Sequence, residues 1–362
     1  MIIISWIIIG FAVLQLIISL INLIFSPRLT NEDIGDVKVS VLIPARNEEK
    51  NIQNILLDLQ HQTHKNTEII VFDDQSTDNT ADLVLQMGKY DSRIQLIQST
   101  VLPDGWLGKN YACHTLAGKA TGLYLLFLDA DVSIDEDMIK KTVTHLQKSH
   151  AKLVSVFPKQ IMINPGEKAV VPVMNYILLT LLPLILVRYS GFSSLSAANG
   201  QCMLFETETY KKHMPHENMK AEKVEDIQIA RIFKKRKIKI SCVATNNDIK
   251  CRMYRNYTES INGFSKNIVM FFGNSYALAT LFWVFTTFGF IIVFISLPIQ
   301  WFILLNIITI AVRVLVSLTS GQKITTNLLY LIPQQLNTGY IIFKSFINKL
   351  NGRYEWRGRI IQ

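Results

Sequence analysis

Three long apolar runs flank a polar middle. Residues 2–25 hold no charged side chain and are long enough to cross about 30 Å of hydrocarbon. They lack the basic start and small-residue cleavage site of a signal peptide, which predicts a retained anchor over residues 1–27. Residues 277–297 and 299–318 are two further runs, and Leu297-Pro298-Ile299 between them predicts a membrane hairpin over 277–318. In the polar middle, apolar stretches at 37–44, 68–72, 94–98 and 125–128 predict strands. The segments after them, the first of which runs to about Gln62, predict helices. Strand and helix alternate, the pattern of a parallel α/β sheet with right-handed crossovers.

The stretch Leu125-Leu126-Phe127-Leu128-Asp129-Ala130-Asp131-Val132 stops at two carboxylates spaced i, i+2. Ligand sites in such sheets lie beyond the carboxyl ends of strands, and residues i and i+2 of an extended segment point the same way. Asp129 and Asp131 therefore suit one hard divalent cation, Mg²⁺ or Mn²⁺, shared with substrate phosphates. Strand 37–44 running into Ala45-Arg46-Asn47-Glu48-Glu49 makes an anion-friendly corner. Strand 68–72 runs into Asp73-Asp74-Gln75-Ser76-Thr77-Asp78, a polar turn with capping residues.

The formal charge of +9 calls for an anionic partner. Nucleic acid is excluded as the expectation, because the basic residues hug the apolar runs instead of forming one stripe. Arg28 and Lys38 follow the first run. Arg252, Arg255 and Lys266 precede the hairpin, and Lys344, Lys349, Arg353, Arg357 and Arg359 crowd the tail. By the positive-inside rule all three regions face the cytoplasm, predicting a multi-pass cell-membrane protein with a cytoplasmic catalytic domain. Arg313 is expected near the cytoplasmic end of its helix, from which it would snorkel outward. The four cysteines form no C-x-x-C pair, so reduced thiols are expected and no zinc site.

Taken in order, Ile43-Pro44-Ala45-Arg46-Asn47-Glu48, the Asp73–Asp78 turn and Leu128-Asp129-Ala130-Asp131 resemble the nucleotide-sugar-binding half of inverting family 2 glycosyltransferases. The likeness spans residues 37–270 and implies a GT-A fold in the α/β class. Gly105-Trp106-Leu107-Gly108-Lys109, Cys251-Arg252-Met253-Tyr254-Arg255 and the terminal Glu355-Trp356-Arg357-Gly358-Arg359 are most similar to one membrane-bound branch. That branch includes the diaponeurosporenoate and hopanoid-associated enzymes. The resemblance implies that Pro44, Ala45, Glu48 and Asp74 hold the nucleoside of a UDP-sugar and that Asp129 and Asp131 hold a metal on its diphosphate. Lys109 is expected to reach a phosphate, and Arg252 or Arg255 to neutralise the departing diphosphate. In Lys223-Val224-Glu225-Asp226, Asp226 matches the general base. Two positions depart from the family: Gln75 stands where glycine is usual, and Asn256 replaces the tryptophan of the Q/R-x-x-R-W motif.

The implied reaction is transfer of a hexose, glucose foremost, to a lipid acceptor: a terpenoid, carotenoid or glycerolipid. The missing tryptophan, which stacks on the acceptor glycan in sugar polymerases, weighs against the alternative of a processive polysaccharide synthase. An inactive membrane scaffold would have lost the D-x-D or the base. The Glu225-Asp226 pair tilts the acceptor towards a hydroxyl, since a carboxylic acid is already ionised at neutral pH. Residues 170–187 are apolar, yet a single crossing there would part Asp131 from Asp226 across the bilayer. With Pro172, Asn175 and Pro183 they predict a broken interfacial helix. Residues 328–362 are expected to form a re-entrant or surface helix, interrupted at residues 333–337, and a basic tail. The sequence leaves the oligomeric state open.

Overall fold

The computed structural model describes residues 1–244 and 247–351, with the backbone of 354–356 and 359–361. Arg353, Arg357 and Gly358 of the basic tail lie outside the described residues, as do the side chains of Glu355, Trp356 and Arg359. The chain divides into two compact units. One comprises Pro27–Lys159 and Leu184–Cys251; the other comprises Met1–Ser26, Gln160–Pro183 and Arg252–Gln362.

The first is the α/β unit. In chain order its strands are β1 (Val39–Ala45), β2 (Thr67–Asp73), β3 (Ile94–Gln98), β4 (Tyr124–Leu128), β5 (Val132–Ile134), β6 (Leu153–Phe157), β7 (Lys159–Gln160, of which only Lys159 falls in this unit), β8 (Cys202–Glu206), β9 (Ile240–Ala244) and β10 (Ile249–Cys251). A seven-stranded sheet runs in the order β3-β2-β1-β4-β8-β6-β9. Strands β2 and β4 are buried along their whole length and β1 at every residue but Pro44. This is why they read as unbroken apolar runs instead of alternating ones. The expectation of a wholly parallel sheet is corrected at one strand: β8 is antiparallel to both β4 and β6. It begins where β4 ends, with Cys202 opposite Leu128 and Glu206 opposite Tyr124, so it can only run back. Outside the main sheet, β5 pairs antiparallel with β10, setting Val132 opposite Cys251.

Helices make up most of the described part of the second unit. Ile2–Phe25, Tyr276–Ser296 and Ile299–Thr319 are long and apolar enough to cross a membrane. They pack through small and polar contacts. Ile8 lies over Gly289, where an added Cβ would come within 2.8 Å of it, and the Ser5 and Ser296 hydroxyls are 2.5 Å apart. Such close approach is how helices associate where solvent does not drive them together. The 170–187 segment is broken into pieces: Val170 ends one helix, Pro172–Leu181 is a second, and Ile185–Tyr189, a third, belongs to the α/β unit. Asn22 closes the end of the second piece, its amide donating to Leu179 O and Leu182 O at 2.9 Å each.

Two expectations in this unit are corrected. Residues 333–337 do not interrupt a helix; Leu331–Leu350 runs through them, and the break falls before it, at Tyr330. Pro333 sits in the first turn, where its missing N–H would have had no intrahelical partner. Arg313 does not snorkel outward. It is 3% exposed, with its guanidinium carbon 3.7 Å from the Tyr176 ring centroid and Nη1 donating to Gln334 Oε1 at 2.9 Å.

Candidate active site

The carboxyl ends of β1, β2 and β4 define one edge of the α/β unit. At β1 and β2 the parallel register sets Ala45 beside Asp73, and the Asp74 N–H donates to Ala45 O at 2.8 Å. Pro44 and Ala45 thus border the turn that carries Asp74, whose carboxylate is buried and 3.8 Å from the Arg46 guanidinium. Glu48 is buried in the loop between β1 and helix Ile52–Gln60, against the same turn. Its N–H donates to Thr80 Oγ1 at 2.8 Å, and its carboxylate accepts from Asn51. Gln75 adopts φ +55°, the left-handed conformation that glycine takes freely, and its amide is tied to Thr100 O at 2.9 Å. The side chain's own hydrogen bond offsets part of the cost of placing it there.

The second cluster gathers where β4 stops. Asp129 follows the last residue of β4, and its N–H donates to Gln201 O just ahead of β8. Lys109, one residue into helix Gly108–Lys119, places its ammonium 2.8 Å from Asp129 Oδ1, 3.6 Å from Glu225 Oε1 and 3.4 Å from Gly200 O. Asp226 stands in the first turn of helix Glu225–Lys235, where the macrodipole favours acids. Its Oδ2 accepts the Gly200 N–H at 2.8 Å and Oδ1 accepts the Ile227 N–H. Gly200 lies between these groups. A Cβ there would meet Lys109 Nζ at 3.1 Å, Glu225 Oε1 at 3.2 Å and Asp226 Oδ2 at 3.5 Å, so a side chain would crowd the cluster.

The electrostatics follow from this crowding. Burial, then the charge of Glu225, push the Asp226 carboxyl up to about 7, against the pull of the Ile227 N–H, Lys109 and the Gly200 N–H. Burial works against the Lys109 charge, yet Asp129 and Glu225 hold its ammonium well above the usual amine range. Asp131 lies on the other side of the β4–β5 corner and accepts the Cys251 thiol, whose own ionisation is suppressed by burial and by that carboxylate. Gln201 also reaches Cys251, with Nε2 2.8 Å from Sγ.

The fold therefore gathers Lys109, Asp129 and Asp226 into one cluster, sets Asp131 at its corner, and puts Pro44, Ala45, Glu48 and Asp74 at the neighbouring strand ends. Arg252 and Arg255 belong to the helical unit. There Arg252 is committed to an ion pair with the fully buried Glu167 at 2.7 Å, and Arg255 offers its backbone N–H to Glu259 and its carbonyl to Asn164. Sequence reasoning missed the parts played by Gln201 and Cys251. Their only signal was position: Gln201 lies in the stretch Ala197-Ala198-Asn199-Gly200-Gln201-Cys202-Met203-Leu204, which resembles the family's glycine-bearing loop, and Cys251 precedes Arg252.

Residues 40–214 match glycosyl transferase family 2. The chain is 26% identical over 241 residues to a 4,4'-diaponeurosporenoate glycosyltransferase of Staphylococcus haemolyticus, a match covering 64% of this chain and 61% of that relative. A protein of the same name from Staphylococcus aureus (strain NCTC 8325 / PS 47) is 33% identical over 126 residues, 34% of this chain and 32% of that one. The match thus spans less than two thirds of either relative's length. Among solved structures, the mannosyltransferase PcManGT from Pyrobaculum calidifontis, in complex with GDP-Man and Mn²⁺, shares the fold. Its TM-score is 0.56 over 96% of this chain and 97% of that one, at 15% identity. With this match and this sheet, residues 40–214 carry a glycosyl transferase family 2 domain, and the α/β unit has the GT-A fold.

Proposed function

We propose that this chain transfers a hexose, glucose foremost, from a UDP-sugar to a membrane lipid acceptor, with inversion at C1. The observation that carries the reading is Asp226. A half-buried carboxyl pushed up to about 7 and oriented by the Gly200 N–H, beside Lys109 and Asp129, is poised as a general base at neutral pH. The acceptor O–H gives its proton to Asp226 while the acceptor oxygen attacks C1 from the face opposite the diphosphate. The C1–O bond breaks, and UDP leaves with the bonding electron pair. Asp74 would accept the uracil N3–H between the ends of β1 and β2, and Glu48 would help shape that corner. Lys109, already holding Asp129, would share its charge with a diphosphate oxygen. The Arg252–Glu167 pair leaves Arg252 preorganised, but not dedicated to phosphate.

Asp129 and Asp131 suit a divalent cation, Mg²⁺ or Mn²⁺, in the chemistry of their oxygens and their i, i+2 spacing. Among the described residues no group of three His, Cys, Asp or Glu side chains is arranged around an ion. Two carboxylates would therefore leave the remaining positions to diphosphate oxygens and water. When bound, the cation neutralises charge on the leaving diphosphate. A second reading, glycosyl-ester formation on a terpenoid carboxylate, is favoured by the acid in the relatives' name. The three long apolar helices support a membrane location, with the α/β unit on the cytoplasmic side.

Lipid mass spectrometry of a host expressing the chain, against one expressing Asp131→Ala, tests the reading. The intact chain should add a hexosyl lipid that the variant lacks, and EDTA should abolish transfer by purified protein. Equal products from both hosts, or an EDTA-insensitive Asp131→Ala protein, would sink it.

A further inference from the structure

Arg313 lies in a helix, Ile299–Thr319, that has no other charged residue. It is buried, and its partners are the Tyr176 ring and the neutral amide of Gln334. None of its contacts among the described residues is a carboxylate, and its Nε–H is buried without an acceptor. The network beyond Gln334 has the same bias. Gln334 Nε2 donates to Asn327 Oδ1 at 3.2 Å; Asn327 Nδ2 donates to Ser317 Oγ at 2.8 Å and Gln322 Oε1 at 2.9 Å; Gln322 Nε2 is again a buried donor with no acceptor. The network thus begins and ends on N–H groups and carries one uncompensated positive charge. A buried guanidinium without an anion is costly, and each orphaned donor adds to the cost. One oxyanion would supply both the missing charge and the missing acceptor, and the planar fork of arginine matches carboxylate and phosphate. The same helix presents Ile303, Ile307 and Ile310 about half-exposed, an apolar flank suited to a long hydrocarbon chain.

We propose that Arg313 and the Gln334-Asn327-Gln322 network form a binding site for an oxyanion, carboxylate or phosphate, at the head of a long apolar chain. The site stands on the helical unit alone and does not depend on the sugar-transfer reading.

The test is native mass spectrometry of the full chain in detergent. It is titrated with oleic acid against oleyl alcohol, and with dioleoyl phosphatidylglycerol against dioleoyl phosphatidylcholine. The wild type should prefer at least one anionic member by about tenfold or more, the size expected of a charge-assisted contact. Arg313→Met should reduce that preference to about twofold or less, and Arg313→Lys should retain part of it. Preference for oleate alone assigns a carboxylate ligand, for phosphatidylglycerol alone a phosphate, and for both a general anionic headgroup; each supports the site. Melting in lipid-free detergent supplies the second readout. Arg313→Met should melt at or above the wild type, because it removes an uncompensated buried charge. No preference in the wild type, a preference surviving in Arg313→Met, or a lower melt for that variant with lipid selectivity unchanged would overturn the proposal.

Discussion

Asp226 concentrates the chemistry of the site in one carboxyl. Its ordinary value of 3.8 is raised to about 7 in the folded chain, so it carries its proton below about pH 7 and is a competent base above it. With a hydroxyl acceptor, kcat/KM should fall about tenfold per unit below pH 7 and level off above it. Asp226→Asn should remove that limb and lower kcat by about 10² or more. Turnover that stays at the wild-type level would point to a carboxylate acceptor, which needs no base. The same shift bears on stability. The stabilisation from the bound proton is full below pH 3.8 and is lost as pH rises through about 7, because the unfolded chain releases its proton first. Asp226→Asn should therefore gain melting temperature relative to wild type at pH 8 and not at pH 3.5, measured by differential scanning fluorimetry.

At the scale of elements, the turn after β2 shows how a local departure from a family pattern is absorbed. Gln75 takes φ +55° because the chain must reverse between β2 and the helix beginning at Thr80, and its side chain bonds to Thr100 O. Left-handed backbone costs an ordinary residue about 1–2 kcal/mol, whereas glycine avoids that and loses the hydrogen bond. Gln75→Gly should therefore change unfolding free energy by less than about 1 kcal/mol. Gln75→Val, β-branched and without the bond, should destabilise by more than about 1 kcal/mol. Chemical denaturation of both variants measures the contrast, and equal effects would show that the turn imposes no conformational demand. Helix Leu331–Leu350 follows a related rule: Pro333 is harmless in its first turn, and the chain breaks instead at Tyr330.

For the whole molecule, the basic residues beside the apolar helices predict Met1 outside and residue 351 inside the cell. The four native cysteines are all free and buried, so an engineered cysteine can be labelled against low background. Asn351→Cys should resist an impermeant maleimide in intact cells and react after permeabilisation, and a cysteine at Ile2 should do the reverse. Labelling of Asn351→Cys in intact cells would make Leu331–Leu350 a true crossing.

Much of this protein is legible in its sequence because the signals are local. An apolar run ending in Asp129 marks a strand edge, a charge-free stretch of 24 residues marks a helix able to span a bilayer, and Glu225-Asp226 marks a helix start. Each rests on the period of the chain or on a few neighbouring residues. What the tertiary structure decided was pairing between distant segments. The antiparallel run of β8 brings Gly200 against Asp226 and Gln201 against Asp129, and β10 brings Cys251 to Asp131. Arg252 turned to Glu167 and Arg313 to Tyr176 for the same reason. A long charged side chain has several partners within reach, and only the packed fold determines which one excludes water from it.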